Sequence, residues 1–450
     1  MSHSKSVQKA GPVAALDAAL AAALAEHAPA GARVAVALSG GIDSMVLLDA
    51  ATELAARHPL ALSAVHVHHG LSPNADRWAE FCAAQCAARK VPLTTHRLRL
   101  SRERGISLEA KARSARYEQL LATDVDVIAL AHHADDQAET VLLQLFRGAG
   151  PQGLAAMPVF RPGQPALLRP LLALPRPTLA AYARLRALEW IEDESNADPR
   201  YPRNFIRADV APLLASRFAG YPETLVRAAR HQAEAGVLAD ALAVLDAAGA
   251  VDATGLASAR LNTLPLPRAR NLLRWFLREE GLRPPSAAQL SEMLRQLSSA
   301  GDDARIRIAQ GGAEIGCHRG RVVVHAPPAP KFERVWHGEP EVSLPGGVLA
   351  FERAHAEGLA VVKLERMRVT LRPRRGGERI RLGANRPTHA VKKLLQDAGM
   401  PSWQRESLPL IWADDALAAV PGIGVALAFQ AAPGENGWRV EWRPRGRSRS

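Results

Sequence analysis

Short apolar runs alternate with longer amphipathic segments in the first half of the chain. The apolar runs predict buried strands at 33–39, 60–68, 91–98 and 125–131. The amphipathic segments predict helices at 44–57, 109–122 and 134–146. Strands that alternate with helices are typical of a doubly wound α/β domain with a parallel sheet, which we expect over 30–217. An Ala-rich segment predicts one more helix at 13–27, within an N-terminal extension at 1–29.

The pattern changes beyond residue 217. Apolar residues then recur mainly at helical spacing, which predicts a mainly helical substrate-binding domain at 218–330 with short strands near its end. Three prolines between 327 and 330 predict a stiff linker. A small α+β domain is expected at 340–440, and an Arg/Ser-rich, disordered tail at 441–450.

The amino-acid composition and net charge of the chain limit the classes of protein to which it can belong. The 450 residues are 48% hydrophobic and 23% charged, which excludes wholesale disorder, and the net charge of +12 favours a polyanionic partner such as nucleic acid. Three cysteines cannot form a disulfide framework, and Cys82 and Cys86 lack the further ligands that a closed zinc or iron–sulfur site requires. No apolar run approaches the length of a membrane span, so we expect a cytoplasmic protein.

A loop rich in glycine and serine follows the first predicted strand directly. It consists of Ser39, Gly40, Gly41, Ile42, Asp43 and Ser44. Successive N–H groups at a helix start form an anion nest, and a carboxylate in such a loop makes sense if Mg²⁺ bridges it to the phosphates. The loop matches neither the Walker A motif nor G-x-G-x-x-G nor G-x-S-x-G. The alternative is a plain Gly-Gly turn in which Asp43 or Ser44 caps the helix.

Three acidic residues follow the strand predicted at 125–131, where ligands bind in α/β sheets. Asp135, Asp136 and Glu139 fall on one helix face and could bind a metal or an ammonium group. The alternative is an acidic helix N-terminus that only stabilises the helix dipole. His66 and His68 end the second strand, and we expect them to line a nucleotide site rather than to bind a metal.

Basic residues at two further places are candidates for phosphate contacts. Arg113 and Arg116 lie on the helix predicted at 109–122 and could neutralise a nucleotide or the developing pyrophosphate. Arg203, Asn204 and Arg207 close the α/β domain and could contact backbone phosphates or a base. Solvated basic faces and an ordinary helix cap are the alternatives.

The last domain carries a strongly basic segment. Between residues 366 and 393 there are ten Arg or Lys residues and one acid. Arginine is suited to bidentate phosphate contacts, so we expect Arg372, Arg374 and Arg375 to contact the phosphates of a nucleic acid. The alternative is a solvated basic face.

These motifs carry a resemblance. The loop at 39–44 resembles the S-G-G-x-D-S signature of the PP-loop ATP pyrophosphatases. Further stretches resemble one family within them, the bacterial tRNA(Ile)-lysidine synthetases. They are V-H-V-H-H-G-L at 65–71, E-A-K-A-R-S-A-R-Y at 109–117, A-H-H-A-D-D-Q-A-E-T at 131–140, R-G-A-G-P-Q-G-L at 147–154, S-N-A-D at 195–198, R-N-F-I-R at 203–207, R-P-R-R-G-G-E-R-I at 372–380 and P-G-I-G at 421–424. His68 stands where the family usually has Asn.

The resemblance implies a specific reaction. ATP would adenylate O2 of the wobble cytidine (position 34) of tRNA(Ile) with a CAU anticodon, and the ε-amine of free L-lysine would displace AMP to leave lysidine. It implies ATP and Mg²⁺ as cofactors, with Mg²⁺ on Asp43, and allows for a homodimer. Asp43, Arg113, His133 and Asp136 would be catalytic, with His133 as a candidate base.

The resemblance and the residues also suggest how the substrates are held. Asp136 and Glu139 would hold the lysine ammonium, and the basic residues of 203–207 and 372–375 would contact tRNA. The alternatives are a tRNA thiolase, which would need a C-x-x-C that is absent, a ligase acting on small metabolites, and a non-catalytic RNA-binding protein.

Overall fold

The computed structural model describes residues 11–70, 72–98, 108–192, 202–299 and 306–445, with only the backbone at 108–110. The sequence motif at 195–198, the side chain of Glu109 and the end of the tail at 446–450 lie outside the described residues. The chain divides into two compact units, Met1–Leu238 and Ala239–Ser450. None of the described helices is long and apolar enough to cross a membrane.

The first unit is an α/β domain. Its described helices are α1 (Pro12–His27), α2 (Ile42–Ala55), α3 (Ala75–Ala88), α4 (Leu108–Leu121), α5 (Ala134–Phe146), α6 (Pro151–Leu154), α7 (Arg176–Leu185), α8 (Pro202–Phe205), a π-helical turn (Ile206–Val210), α9 (Ala211–Arg217) and the first part of α10 (Tyr221–Ala247). Its described strands are β1 (Arg33–Ala37), β2 (Ala61–His68), β3 (Leu93–Arg97), β4 (Val127–Ala129), β5 (Phe160–Arg161) and β6 (Ala166–Leu168).

The six strands form one sheet in the order β3-β2-β1-β4-β6-β5. All neighbours pair in parallel except β5 and β6, which confirms the predicted doubly wound α/β fold. Val34 and Val36 of β1 are buried, as the continuous apolar run predicts for a strand covered on both faces. Strand order reverses between β2 and β4 on either side of β1, so the loops after β1 and β4 flank the crevice in which such sheets bind ligands.

Two helices differ from the sequence expectation. Helix α1 is not an extension: Leu16 and Leu20 are fully buried in the same core as α2 and α7. Helix α3 was not predicted from the sequence, because its many exposed polar positions weaken the helical periodicity of its apolar residues. That helix places Cys82 and Cys86 in the core as free thiols.

The second unit begins with a region that is less helical than expected. Helices α11 (Ser258–Thr263), α12 (Leu266–Glu279) and α13 (Ala287–Ser298) pack on the strands β7 (Val251–Asp252), β8 (Gly255–Ala257), β9 (Ile308–Gln310), β10 (Ala313–His318) and β11 (Arg321–His325). These strands form an antiparallel sheet in the order β7-β8-β11-β10-β9. A capping box of Ser286 and Gln289 starts α13.

The last region is mainly β-structure. Residues 326–333, at the predicted linker, have no regular structure. The elements that follow are β12 (Arg334–Val335), β13 (Glu341–Leu344), β14 (Gly347–His355), β15 (Leu359–Ala360), α14 (Val361–Leu364), β16 (Val369–Pro373), β17 (Arg379–Ile380), β18 (His389–Ala390), α15 (Val391–Asp397), α16 (Ser402–Ser407), β19 (Pro409–Ala413), β20 (Ala416–Val420), β21 (Gly424–Val425) and β22 (Asn436–Pro444).

Two sheets, β12-β16-β19-β20-β21 and β13-β14-β22-β15, share the core of this region. The predicted disordered tail is therefore wrong for residues 441–444, which pair with β14 as the end of β22. The apolar partners of that strand lie far away in the sequence, so its local Arg-rich composition was misleading.

Candidate functional site

Hydrogen bonds among its own residues hold the loop after β1 in place. Ser44 Oγ donates a hydrogen bond to the carbonyl oxygen of Gly41 at 2.9 Å and accepts one from the Ser39 backbone N–H at 3.2 Å. Gly41 is the N-cap of α2 and no side chain caps the helix. The alternative in which Asp43 or Ser44 caps the helix is therefore wrong, and the start of α2 remains available to an anion.

Gly40 is required by its conformation and its neighbours. Its φ is +85°, and a Cβ atom there would lie 2.7 Å from Ile191 Cδ1 and 3.3 Å from Cys82 Sγ. The Ile191 backbone N–H also donates to the Gly40 carbonyl oxygen at 2.9 Å. The loop is thus held against α3 and against the segment that follows α7.

His133 connects the loop to helix α5. It is 2% exposed, and its Nε2 lies 3.6 Å from Asp43 Oδ2 and 3.4 Å from Asp136 Oδ2, while its Nδ1 lies 3.6 Å from Asp135 Oδ2. Burial disfavours the imidazolium, but the neighbouring carboxylates of Asp135, Asp43 and Asp136 outweigh it and raise the pKa of His133 to about 10. The three carboxylates therefore favour the protonated form of His133.

Two arginines cover the acidic face of α5. Arg203 donates from Nε to Glu139 Oε2 at 2.7 Å and from Nη2 to Asp136 Oδ1 at 3.1 Å. Arg207 donates from Nε to Glu139 Oε1 at 2.7 Å and from Nη2 to Asp136 Oδ1 at 3.1 Å. Asp136 and Glu139 thus share one pair of guanidinium groups, and the loss of either carboxylate would leave the arginines without a full set of acceptors.

A pocket of about 330 Å³ lies at this end of the sheet. Nine residues that the sequence singles out line it, namely Ser39, Gly41, Asp43, Ser44, His66, His68, Arg116, Asp136 and Arg207. The other candidates of the first unit do not line it, namely Gly40, Ile42, Arg113, His133, Asp135, Glu139, Arg203 and Asn204. Of these, His133, Glu139 and Arg203 contact residues that line the pocket, so they form the layer of side chains behind its wall.

The position of one expected arginine is corrected by the structure. Arg113 is exposed on α4, with its guanidinium carbon 5.5 Å from the centre of the Tyr117 ring. Arg116, three residues later on the same helix, lines the pocket instead. Both are basic residues on neighbouring turns, and only the packing of α4 on the sheet decides which one faces the ligand.

Histidines from two strand ends complete the pocket. His66, His68 and His69 line it, as expected for a loop beside a nucleotide site. His132 also lines it and was not singled out from the sequence; burial lowers its pKa to about 3, so it is a neutral imidazole. Among the described residues no three His, Cys, Asp or Glu side chains are grouped as a metal cluster.

The residues present fit a magnesium ion held together with phosphates. Asp43 Oδ1 is buried and has no hydrogen-bond partner among the residues that the structure describes. An unpaired buried carboxylate oxygen is costly unless a ligand satisfies it. Mg²⁺ is commonly bound by one or two carboxylates together with substrate phosphates, so Asp43 alone can serve as its protein ligand beside the anion nest.

The three arginines expected to contact tRNA have different surroundings. Arg372 lies over the Trp412 ring, 4.2 Å from its centre, and Arg375 is exposed with its Nη2 3.3 Å from Glu333 Oε2. Arg374 is largely buried, with its Nε 3.5 Å from Glu378 Oε2. Arg374 thus supports the fold of its own loop, whereas Arg375 is open to solvent and Arg372 is half-buried.

The parallel sheet and the braced S-G-G-I-D-S loop at its switch point define the first unit as a PP-loop domain. Comparison with known families agrees: residues 15–214 match the PP-loop domain, residues 256–323 the TilS substrate binding domain, and residues 369–442 the TilS substrate C-terminal domain.

Two curated relatives extend over nearly the whole chain. The tRNA(Ile)-lysidine synthase of Nitrosomonas europaea is 42% identical over 92% of each chain, and that of an Azoarcus species is 44% identical over 92% of each chain. The chain belongs to the tRNA(Ile)-lysidine synthase family. A U34-tRNA thiolase of Methanococcus maripaludis overlaps 50% of this chain and 80% of its own at 18% identity, but its TM-score of 0.44 is too low to support an argument.

Proposed function

We propose that the protein converts the wobble cytidine (position 34) of tRNA(Ile) with a CAU anticodon to lysidine, at the expense of ATP. The observation that carries the proposal is that an anion-binding loop and the carboxylate of Asp136 line one pocket, with Glu139 beside Asp136 on the same pair of arginines. The loop suits the phosphates of ATP, and the carboxylates suit the ammonium of lysine. Family membership supplies the substrate class.

In the first step O2 of the cytidine attacks the α-phosphorus of ATP and pyrophosphate leaves. The open N–H groups at the start of α2 and the guanidinium of Arg116 are placed to bind the phosphates and the charge that develops on the leaving group. Mg²⁺ on Asp43 would add charge neutralisation there. The poor leaving group at C2 of the base becomes a good one, an adenylate.

In the second step the lysine ε-nitrogen attacks C2 and AMP leaves. Asp136 and Glu139 are the proposed ammonium site, and lysine must share these carboxylates with Arg203 and Arg207 or displace the arginines from them. The nitrogen must lose a proton before it attacks. Asp136 is the proposed acceptor because it lines the pocket, although, against the effect of burial, the charges of His133 and Arg203 lower its pKa and make it a weak base. His133 is already an imidazolium, so we assign it to positioning Asp43 and Asp136 rather than to the role of base.

The basic segment of the second unit is the proposed contact with the body of the tRNA. RNA helices are recognised mainly through shape and phosphate contacts. Arg375 is exposed and Arg372 is half-buried on Trp412, so both can reach an RNA surface, whereas Arg374 is engaged by Glu378. Such contacts would help to reject the elongator methionine tRNA, which shares the CAU anticodon.

The test is an incorporation assay with purified full-length protein, Mg-ATP, labelled lysine and the isoleucine tRNA bearing CAU. Lysine is expected in that tRNA and not in the elongator methionine tRNA. If pyrophosphate is released only with the isoleucine tRNA but no lysine is incorporated, lysine is not the nucleophile. The proposed adenylation step would still hold. Binding of tRNA with neither product would favour the non-catalytic alternative.

A thiolase is not favoured. Cys82, Cys86 and Cys317 are all buried thiols, and burial raises the pKa of Cys82 to about 12 and that of Cys86 to about 11. Such thiols are poor nucleophiles and poor ligands for a sulfur-carrying cluster.

A further inference from the structure

A second, larger cavity of the first unit opens beside the PP-loop pocket. Its volume is about 610 Å³, within the usual range of ligand sites. We call it the α3 cavity, because α3 forms one wall and the segment 188–192 after α7 forms the other. It is lined by Asn74, Arg77, Trp78, Phe81, Leu188, Glu189, Trp190, Ile191 and Glu192. None of the steps above uses it.

The α3 cavity adjoins the reaction site. Trp78 lines both this cavity and the PP-loop pocket. Ile191 donates its backbone N–H to the Gly40 carbonyl oxygen at 2.9 Å, and its side chain fills the space in which a Cβ of residue 40 would lie. A ligand in the cavity therefore rests on the same residues that hold the phosphate-binding loop.

The lining suits a flat heteroaromatic ring. Trp78, Phe81 and Trp190 offer three aromatic side chains, and Trp190 is 37% exposed, although large apolar side chains are usually more deeply buried. Proteins read single-stranded RNA by splaying bases out and stacking them on aromatic side chains. Trp78 is 8% exposed and Phe81 packs partly on the core, so the ring of Trp190 is the one on which an unstacked base would stack.

The polar lining favours adenine over uracil. The carboxylates of Glu189 and Glu192 can only accept hydrogen bonds, and the exocyclic amino group of adenine donates them. Uracil offers only its N3–H, which lies between two carbonyl oxygens that the carboxylates would repel. Arg77, on the same lining, supplies a positive charge for the adjoining ribose phosphate.

We propose that the α3 cavity binds the adenine of the CAU anticodon, the base that follows the target cytidine. The proposal rests on the proposed function, because that function places the cytidine in the adjoining pocket. Anchoring the next base fixes the register of the anticodon loop, so that the cytidine is the base presented to the phosphate-binding loop. ATP carries the same ring, and the experiment must separate the two sources.

The first arm compares steady-state constants of Trp190→Ala with those of wild-type full-length enzyme. We expect KM for tRNA to rise about fivefold or more, as for the loss of one base–aromatic stack, with KM for ATP and lysine unchanged. Trp190→Phe should retain most of the affinity. Leu185→Ala is the matched control, because Leu185 is an exposed apolar residue of α7 that does not line the cavity.

The second arm needs no chemistry. The anticodon adenosine is replaced by 2-aminopurine, which keeps the stacking ring but carries its amino group at C2 instead of C6, so this arm reports stacking alone. Its fluorescence is followed as the tRNA binds without ATP or lysine. Quenching is expected with wild type and not with Trp190→Ala. Equal quenching in both, an unchanged KM for tRNA, or a rise in KM for ATP alone would overturn the proposal. If the wild-type enzyme fails to incorporate lysine, the proposed function is contradicted instead. The fluorescence result would still show whether the α3 cavity binds the anticodon base.

Discussion

Neutralising Glu139 gives the sharpest test of the ammonium site. Glu139 accepts from Arg203 Nε at 2.7 Å and from Arg207 at 2.7 and 3.0 Å, and its side chain is 5% exposed. In Glu139→Gln the amide nitrogen would face a guanidinium group, and charged hydrogen bonds of this kind contribute about 1.5–3 kcal/mol each. The two arginines are 26% and 38% exposed, so water recovers part of the loss.

The expected cost is therefore about 2–3 kcal/mol in free energy of unfolding, measured by urea denaturation. Loss of the carboxylate should also weaken lysine binding by a similar amount, which is a rise in KM for lysine of about 30-fold or more, with KM for ATP unchanged. Glu80→Gln, an exposed carboxylate on α3, is the matched control for the loss of one negative charge. An unchanged KM for lysine in a folded Glu139→Gln protein would refute the assignment, and unchanged stability would refute the energetic reasoning.

Further expectations concern the loop, the metal ligand, the basic segment and the cysteines. Gly40→Ala should lose about 2–4 kcal/mol of stability or most of its ATP binding, read by thermal unfolding and nucleotide titration, because of the left-handed φ and the contact with the Ile191 side chain. Asp43→Asn should slow tRNA-dependent pyrophosphate release about 100-fold or more and raise the Mg²⁺ concentration needed; an unchanged Mg²⁺ dependence would contradict its role. Arg375→Gln should raise KM for tRNA and reduce its salt slope by about one, with no loss of stability. Cys82, whose pKa burial raises to about 12, should stay protonated at pH 8 and resist alkylation until the protein unfolds; rapid labelling of the native protein would contradict the packing.

The chemistry of the loop at 39–44 could be predicted because it depends on residues that are neighbours in the sequence. Ser39, Gly40, Gly41 and Ser44 act through a turn of six residues, and the strand before it and the helix after it follow from local apolar periodicity. The same holds for helix α5, whose predicted bounds of 134–146 are those of the structure. Local propensity and local hydrogen bonds were sufficient there.

Elements that are stabilised by residues far away in the sequence could not be predicted from local patterns. Helix α3 was missed because its burial depends on a core assembled from other parts of the chain. The choice between Arg113 and Arg116 failed for a related reason, since both residues suit phosphate and only the orientation of α4 on the sheet decides which one lines the pocket.

The parallel α/β class, the phosphate-binding loop and the acidic face of α5 could be predicted from the amino-acid sequence, because each depends on residues a few positions apart. Which side chains these groups contact depends on the folded chain. Arg203 reaches Glu139 across 64 residues of chain, His133 joins α5 to Asp43, and Ile191 closes against Gly40 from the far end of the domain. Such contacts arise when β1 and β4 bring their carboxyl ends together at one edge of the sheet, and the protonation of His133 and the shape of both pockets follow from that folding rather than from any local pattern.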